Sequence, residues 1–214
     1  MRHFKTYIST VKNPEWLDYP ILSQKVREYM KNAVLKISDG EIIESGDISG
    51  DFSSALVFLN SCPALSLEIL DYLTSQSSAV LMSKGEALAL YGPLTDVVEA
   101  VRHEDFTAFE AIETPPGDAA YVYDTESAFK AQELIREKIN QRHLKNGVMI
   151  VSPQTTHIAP GVIIGRGTVV LPGCLIYGQS SIGENCRIGP NCLLENAEIS
   201  DNASINSSQI MDSF

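Results

Sequence analysis

The feature that most constrains this chain is a beat of six. From Ile158 onward an aliphatic side chain returns at every sixth position: Ile158, Ile164, Val170, Ile176, Ile182, Ile188 and Leu194. Ile199 arrives one residue early, and Ile205 restores the beat. Four positions behind the column sit small or β-type residues: Val162, Thr168, Cys174, Ser180, Cys186 and Cys192. A helix repeats near 3.6 residues and a strand near 2, so a sustained six fits neither. It fits a coil of short flat strands joined by tight turns, three six-residue sides to a circuit. The aliphatic column then points into a prism. Ala159, Gly165, Gly183 and Gly189, which follow it, suit turns where the backbone takes positive φ.

Ahead of the coil the pattern is different. Pro14 and Pro20 interrupt the first twenty residues. The spacing of Ile21, Leu22, Val26, Tyr29 and Met30 predicts a helix over Ile21 to Lys31. A strand is expected at Ala33 to Ile37, a hairpin turn at Asp39-Gly40 and a return strand at Glu41 to Glu44. Ser45 to Ser54 reads as a loop. The apolar run Ala55 to Leu59 reads as a buried parallel strand. Pro63 and Ser66 open a helix to about Thr74. Strands follow at Ala79 to Met82 and Ala87 to Tyr91, around a turn at Lys84-Gly85. Thr95 is expected to cap a helix to His103, and Ala108 to Ile112 reads as a strand. Alternation of strand and helix implies an α/β unit over residues 1–123. Pro115-Pro116-Gly117-Asp118 breaks it. A long helix begins at Thr125, with Ala128, Ala131, Ile135 and Ile139 in register, joined by Phe129 and Leu134. Asn146-Gly147 stops it. The expected division is an α/β domain (1–123), a connector helix (124–147) and the coil (148–214).

The six-residue beat resembles the hexapeptide-repeat, left-handed parallel β-helix. Helix, stop and coil together resemble one family. The stretch AFKAQELIREKINQRHLKNGVMIVSPQTTHIAPGVIIGRGTVVLPG, with its NGV helix end, SPQTTHI start and early Ile199, is similar to the bacterial bifunctional N-acetylglucosamine-1-phosphate uridylyltransferase/glucosamine-1-phosphate acetyltransferase family. Leu56 to Leu73 is fainter in its likeness to the front domain of that family. The resemblance implies a glycine-rich phosphate loop near the N-terminus, yet the first glycine is Gly40. It implies a magnesium-binding Asp where this chain has Cys62, and a metal-binding Asn where it has Tyr123. Magnesium takes hard oxygen ligands, which a thiol or a phenol does not replace. The acetyl-transfer residues of the family lie in later coils, so none is carried over. The front domain is therefore expected to be a reduced, nucleotidyltransferase-like body.

Charge narrows the partners. The net formal charge is −11; residues 151–214 carry −3 of it and residues 1–150 carry −8. No basic face suits nucleic acid. No apolar run is long enough for a membrane span, and MRHFKTYIST lacks a signal-peptide core, so a cytoplasmic location is expected. The cysteines Cys62, Cys174, Cys186 and Cys192 make no CxxC pair, and a zinc site is not expected. Cys174 and Cys192 lie one 18-residue circuit apart. They are read as reduced thiols stacked in the prism rather than as a disulfide.

No residue is put forward as catalytic or metal-binding. His157, the one histidine of the coil region, is read as structural. His143 is placed in the last turn of the connector as a cation favoured by the helix dipole. Cys62 reads as a core thiol, and Lys84-Gly85-Glu86 as a plain turn. The functional expectation is a relative of the uridylyltransferase without full activity, trimeric through its coil by resemblance, that binds a sugar nucleotide or a partner and has no cofactor. One alternative is an active sugar-1-phosphate nucleotidyltransferase whose magnesium is held by Asp47, Asp51 or Asp124. The other is a hexapeptide-repeat acyltransferase.

Overall fold

The computed structural model describes residues 3–8, 12–44, 48–49 and 52–213. The chain divides into two compact units. One takes residues 1–20 and 25–131, the other residues 132–214 with the short segment Ile21–Gln24.

The first unit is built on a mixed six-stranded sheet. Its elements are β1 (Lys5–Tyr7), α1 (Val26–Val34), β4 (Ile42–Ile43), β5 (Ser54–Phe58), α2 (Leu67–Leu73), β6 (Ala79–Ser83), β7 (Glu86–Pro93), α3 (Leu94–His103) and β8 (Glu110–Glu113); a hairpin of β2 (Pro20–Ile21) and β3 (Gln24–Lys25) precedes α1, with Ile21–Gln24 counted in the other unit. The sheet order is β4-β1-β5-β7-β6-β8. β1 pairs in parallel with β4 on one side and β5 on the other, and β5 and β7 run antiparallel. Successive strand residues face opposite ways, and Leu56, Val57 and Phe58 are all fully buried, so β5 is covered on both faces. Tyr7, Val57, Leu90, Val97 and Ala100 share one core under α3. Ser66 caps α2 by accepting from the Ile69 N–H at 3.3 Å.

Four local expectations ahead of the connector fail. The expected helix at Ile21 begins only at Val26, because Leu22 and Ser23 take positive φ and turn the β2–β3 hairpin. Ala33–Ile37 is no strand: α1 runs on to Val34 and ends in a turn. Ile42–Ile43 pairs in parallel with β1 and is not the return arm of a hairpin. Thr95 lies inside α3, which Pro93 precedes.

α4 (Thr125–Lys145) runs out of this unit into the second. Ala128, Ala131, Ile135 and Ile139 are buried along it, whereas Phe129 is exposed rather than part of the stripe. Gly147, at φ 85°, ends the helix region as the Asn-Gly signal implied. The coil strands follow: β9 (Met149–Ile150), β10 (His157–Ile158), β11 (Ile163–Ile164), β12 (Val169–Val170), β13 (Leu175–Tyr177), β14 (Ser181–Ile182), β15 (Arg187–Ile188), β16 (Leu193–Ile199), β17 (Ser204–Ile205) and β18 (Gln209–Ser213).

All pairings in the coil are parallel, and their register is the beat itself. Ile158 lies opposite Ile176, Ile164 opposite Ile182, and Val170 opposite Ile188. Each pair is 18 residues apart, so each circuit has three sides. Ile182 then meets Ile199, and Ile188 meets Ile205, so the early Ile199 shortens its circuit by one residue and keeps the column inward. The architecture is a parallel β-helix. Where the chain turns between sides, buried hydroxyls replace the ladder: Thr168 Oγ1 donates to Gly183 O at 2.8 Å and accepts from Cys186 N at 3.0 Å. Ser180 Oγ does the same between Tyr177 O and Ala197 N. Cys174, Cys186 and Cys192 are reduced and buried among these inward positions.

Candidate functional site

In an open sheet with parallel strands, ligands sit at the carboxyl ends where the strand order reverses. Here the chain goes from β1 to β4 on one side and then to β5 on the other, so the reversal lies between β1 and β5. Past β1 come Lys12 and Asn13; past β5 come Leu59, Asn60, Ser61 and Cys62. The two loops are tied together, since Ser61 Oγ donates to Asn13 O at 3.2 Å. Buried Asn60 donates through Nδ2 to Ala87 O at 2.8 Å, anchoring the second loop to the start of β7. Lys12 Nζ and Glu86 Oε2 pair at 3.1 Å. A recess of about 100 Å³ opens beside them, lined by Lys12, Leu59, Ala87, Val101, Glu104 and Phe106.

A third stretch closes this end. Val122 N donates to Ser61 O at 2.7 Å in an isolated antiparallel bridge. Cys62 and Tyr123, the two positions where metal ligands were expected to have been replaced, therefore flank a single bridge. Cys62 is buried, at 1% exposure, and Tyr123 is half-exposed. Tyr121 and Tyr123 stack with centroids 5.2 Å apart. Burial first, then Tyr123 and the Glu86 carboxylate, push the Tyr121 phenol up from its usual range.

Asp124, the carboxylate next to Tyr123 in sequence, has another task. Its Oδ1 accepts from Ser127 N at 2.7 Å, while Ser127 Oγ accepts from Asp124 N at 2.9 Å. This reciprocal cap opens α4. The Ser127 amide, more than its hydroxyl, holds the Asp124 carboxyl below its usual pKa. Asp47 and Asp51 lie outside the described residues. A thiol, a phenol and a carboxylate committed to a helix cap do not fit magnesium, which needs several oxygen ligands in octahedral array. Among the described residues no three His, Cys, Asp or Glu side chains converge as a ligand set.

The histidines of the second unit are placed differently from one another. His143 is 3% exposed, and burial, with Arg142 beside it, holds its imidazole down at about 4. It is a neutral core residue and not the helix-end cation expected. His157 opens β10 on the outer side of the coil, opposite Leu175. Burial and then Arg136 lower its pKa, against the pull of Glu133. The start of the coil is clamped to α4. Asn140 Nδ2 donates to Pro153 O at 2.9 Å and Thr156 O at 3.2 Å, and Arg136 donates to Pro153 O as well.

Residues 161–196 match the family described as bacterial transferase hexapeptide (six repeats). The bifunctional protein GlmU of Thermoanaerobacter pseudethanolicus is 42% identical over 120 residues, 56% of this chain and 26% of that protein. GlmU of Geobacillus thermodenitrificans is 37% identical over 121 residues, with the same two shares. GlmU of Clostridioides difficile is 42% identical over 84 residues, 39% of this chain and 18% of the relative. Over its C-terminal half, the chain is related to GlmU. It spans about a quarter of the length of the GlmU proteins it matches first. The hexapeptide match lies within the β-helix; the 120 residues matched to GlmU exceed the second unit and run into the first.

Sequence reasoning singled out Cys62 and Tyr123, read Glu86 only as part of a plain turn, and missed Lys12, Asn13, Asn60, Ser61 and Tyr121. Their convergence depends on four loops far apart in the chain, which no local spacing encodes. One signal was readable: Tyr-Val-Tyr at 121–123 is a two-residue alternation with an apolar centre.

Proposed function

We propose that this is a GlmU-related protein whose front unit no longer carries out metal-dependent uridylyl transfer and instead binds a sugar nucleotide or a partner. Its coil would assemble the protein as a trimer, with the left-handed turn that the six-residue resemblance implies, in the cytoplasm. One observation carries the reading. A buried thiol and a half-exposed phenol flank the Ser61–Val122 bridge, and the adjacent Asp124 carboxylate caps a helix. Without hard ligands there, magnesium has nothing to bring the nucleotide phosphates to. That leaves binding as the use of the crevice. The test is pyrophosphate release from UTP and N-acetylglucosamine 1-phosphate with magnesium, beside titration of UDP-N-acetylglucosamine. Binding without turnover at micromolar protein supports the reading. Steady magnesium-dependent turnover overturns it and restores the nucleotidyltransferase alternative, with Asp47 or Asp51 as ligand. Light scattering tests the assembly, with a mass of three chains expected.

A second reading has one specific support, the hexapeptide transferase match over residues 161–196. It makes the coil an acyltransferase surface. Saturable binding of acetyl-CoA would favour it, and none at millimolar concentration removes it.

A further inference from the structure

Among the described residues β8 is the last strand of the front sheet, paired in parallel with β6 alone. Glu110 N donates to Ser78 O at 3.2 Å, and Thr114 N donates to Met82 O at 2.9 Å. Alternate residues of a parallel ladder bond the same neighbour. Ala111 and Glu113 therefore turn their N–H and C=O groups away from β6. An edge of this kind is a template for one more strand. Glu110, Ala111 and Glu113 are all exposed along it.

Charge decides which strand it can take. Glu110 and Glu113 are three residues apart, so they stand on opposite faces. Among the described residues neither is in an ion pair. Where β8 begins, a groove of about 310 Å³ is lined by Ser78, Asp96, Glu99, His103, Asp105 and Phe109, three carboxylates beside one imidazole. Two copies of this edge laid side by side would set carboxylate against carboxylate, which is destabilising. A strand with a cation on each face meets the reverse. Its ammonium or guanidinium groups face Glu110 and Glu113, and the charge of −8 on residues 1–150 draws it in.

We propose that the outer edge of β8 takes up an extended, basic polypeptide segment as a further strand of the sheet. Main-chain hydrogen bonds to Ala111 and Glu113 supply the affinity, and the two glutamates select lysine or arginine three residues apart. β7 and β6 lie between this edge and the crevice of β1 and β5. The inference therefore goes beyond the reading of the front unit and does not depend on it.

The probe is a short synthetic peptide of threonine and valine with two lysines three residues apart. It is titrated into the full chain at low salt, and amide hydrogen exchange is followed. Saturable binding is expected, with slower exchange at the Ala111 and Glu113 amides. The same peptide with glutamates for lysines should not bind. The lysine peptide with alternate amides N-methylated should bind about tenfold more weakly. Ala111→Pro removes an outward N–H and no bond of the sheet, and should also weaken binding about tenfold. Glu110→Gln and Glu113→Gln should each weaken it about threefold. Circular dichroism confirms that the variants are folded. Equal binding of the N-methylated peptide, which needs no variant, would show that charge alone holds it and overturns the proposal. Protection that spares Ala111 and Glu113, or no binding at millimolar peptide, overturns it too. Titration of UDP-N-acetylglucosamine bears only on the crevice, so failure of one reading is distinct from failure of the other.

Discussion

At the corners of the coil, glycine and asparagine divide one problem. Gly167, Gly173 and Gly178 have positive φ, and so do Asn185, Asn191 and Asn196, one 18-residue circuit later. Each asparagine amide sits where a Cβ on the glycine below would have to go. A side chain in the lower rung thus meets two penalties, a left-handed backbone and a collision with the next rung. Gly85, at φ 82°, meets only the first, since nothing lies within 4 Å of its would-be Cβ. Gly173→Ala should therefore destabilise by roughly 2–4 kcal/mol and Gly85→Ala by about 1 kcal/mol. Equal shifts in melting temperature would count against stacked corners. His143 offers a second residue-scale prediction. Its folded pKa, about 4, lies below its ordinary 6.5. Its contribution is fully present above pH 6.5 and is lost as pH falls toward 4, because protonation favours the unfolded chain. The loss amounts to on the order of 3 kcal/mol for so buried a group. Melting curves from pH 7 to pH 4 should fall less steeply for His143→Gln than for the parent; parallel slopes would show that the imidazole is not buried neutral.

At the scale of elements, the beat of six makes a sharp forecast along a single strand. In β15, Ile188 is fully buried and Arg187 points out. Ile188→Ala should cost about 2–5 kcal/mol and Arg187→Ala less than about 0.5 kcal/mol. The clamp between α4 and the coil can be tested through Asn140, which is 1% exposed and serves two carbonyls. Asn140→Ala should cost roughly 1–3 kcal/mol, and hydrogen exchange should quicken around residues 153–157. The coil was legible because its strands are packed by residues close in sequence: one column, one register, one early isoleucine. The front unit was legible only where packing and pattern agree, as in the run Ala55–Leu59 and the β6–β7 turn. Ile21–Lys31 misled because Leu22 and Ser23 adopt a backbone rare for their types, and Ile42–Ile43 because a parallel partner 36 residues away leaves no local mark. The candidate site was half readable. Resemblance pointed to Cys62 and Tyr123, but only folding brought Lys12, Ser61 and Glu86 to them.

For the whole molecule, the division into two units has an energetic consequence. The first has its core between the sheet and α3, around Val57 and Leu90. The second has its core in the aliphatic column of the prism, around Ile176 and Ile188. Units with separate cores unfold as separate cooperative bodies, and a chain holding two of them departs from two-state behaviour. Scanning calorimetry should therefore resolve two transitions. Ile188→Ala should lower one, and the pH dependence of His143 should track the same one. Val57→Ala should lower only the other, by an amount set by the methyl groups lost from a fully buried site. A single transition displaced alike by both core substitutions would mean that the two cores melt as one body, and the crevice could then no longer be treated apart from the coil.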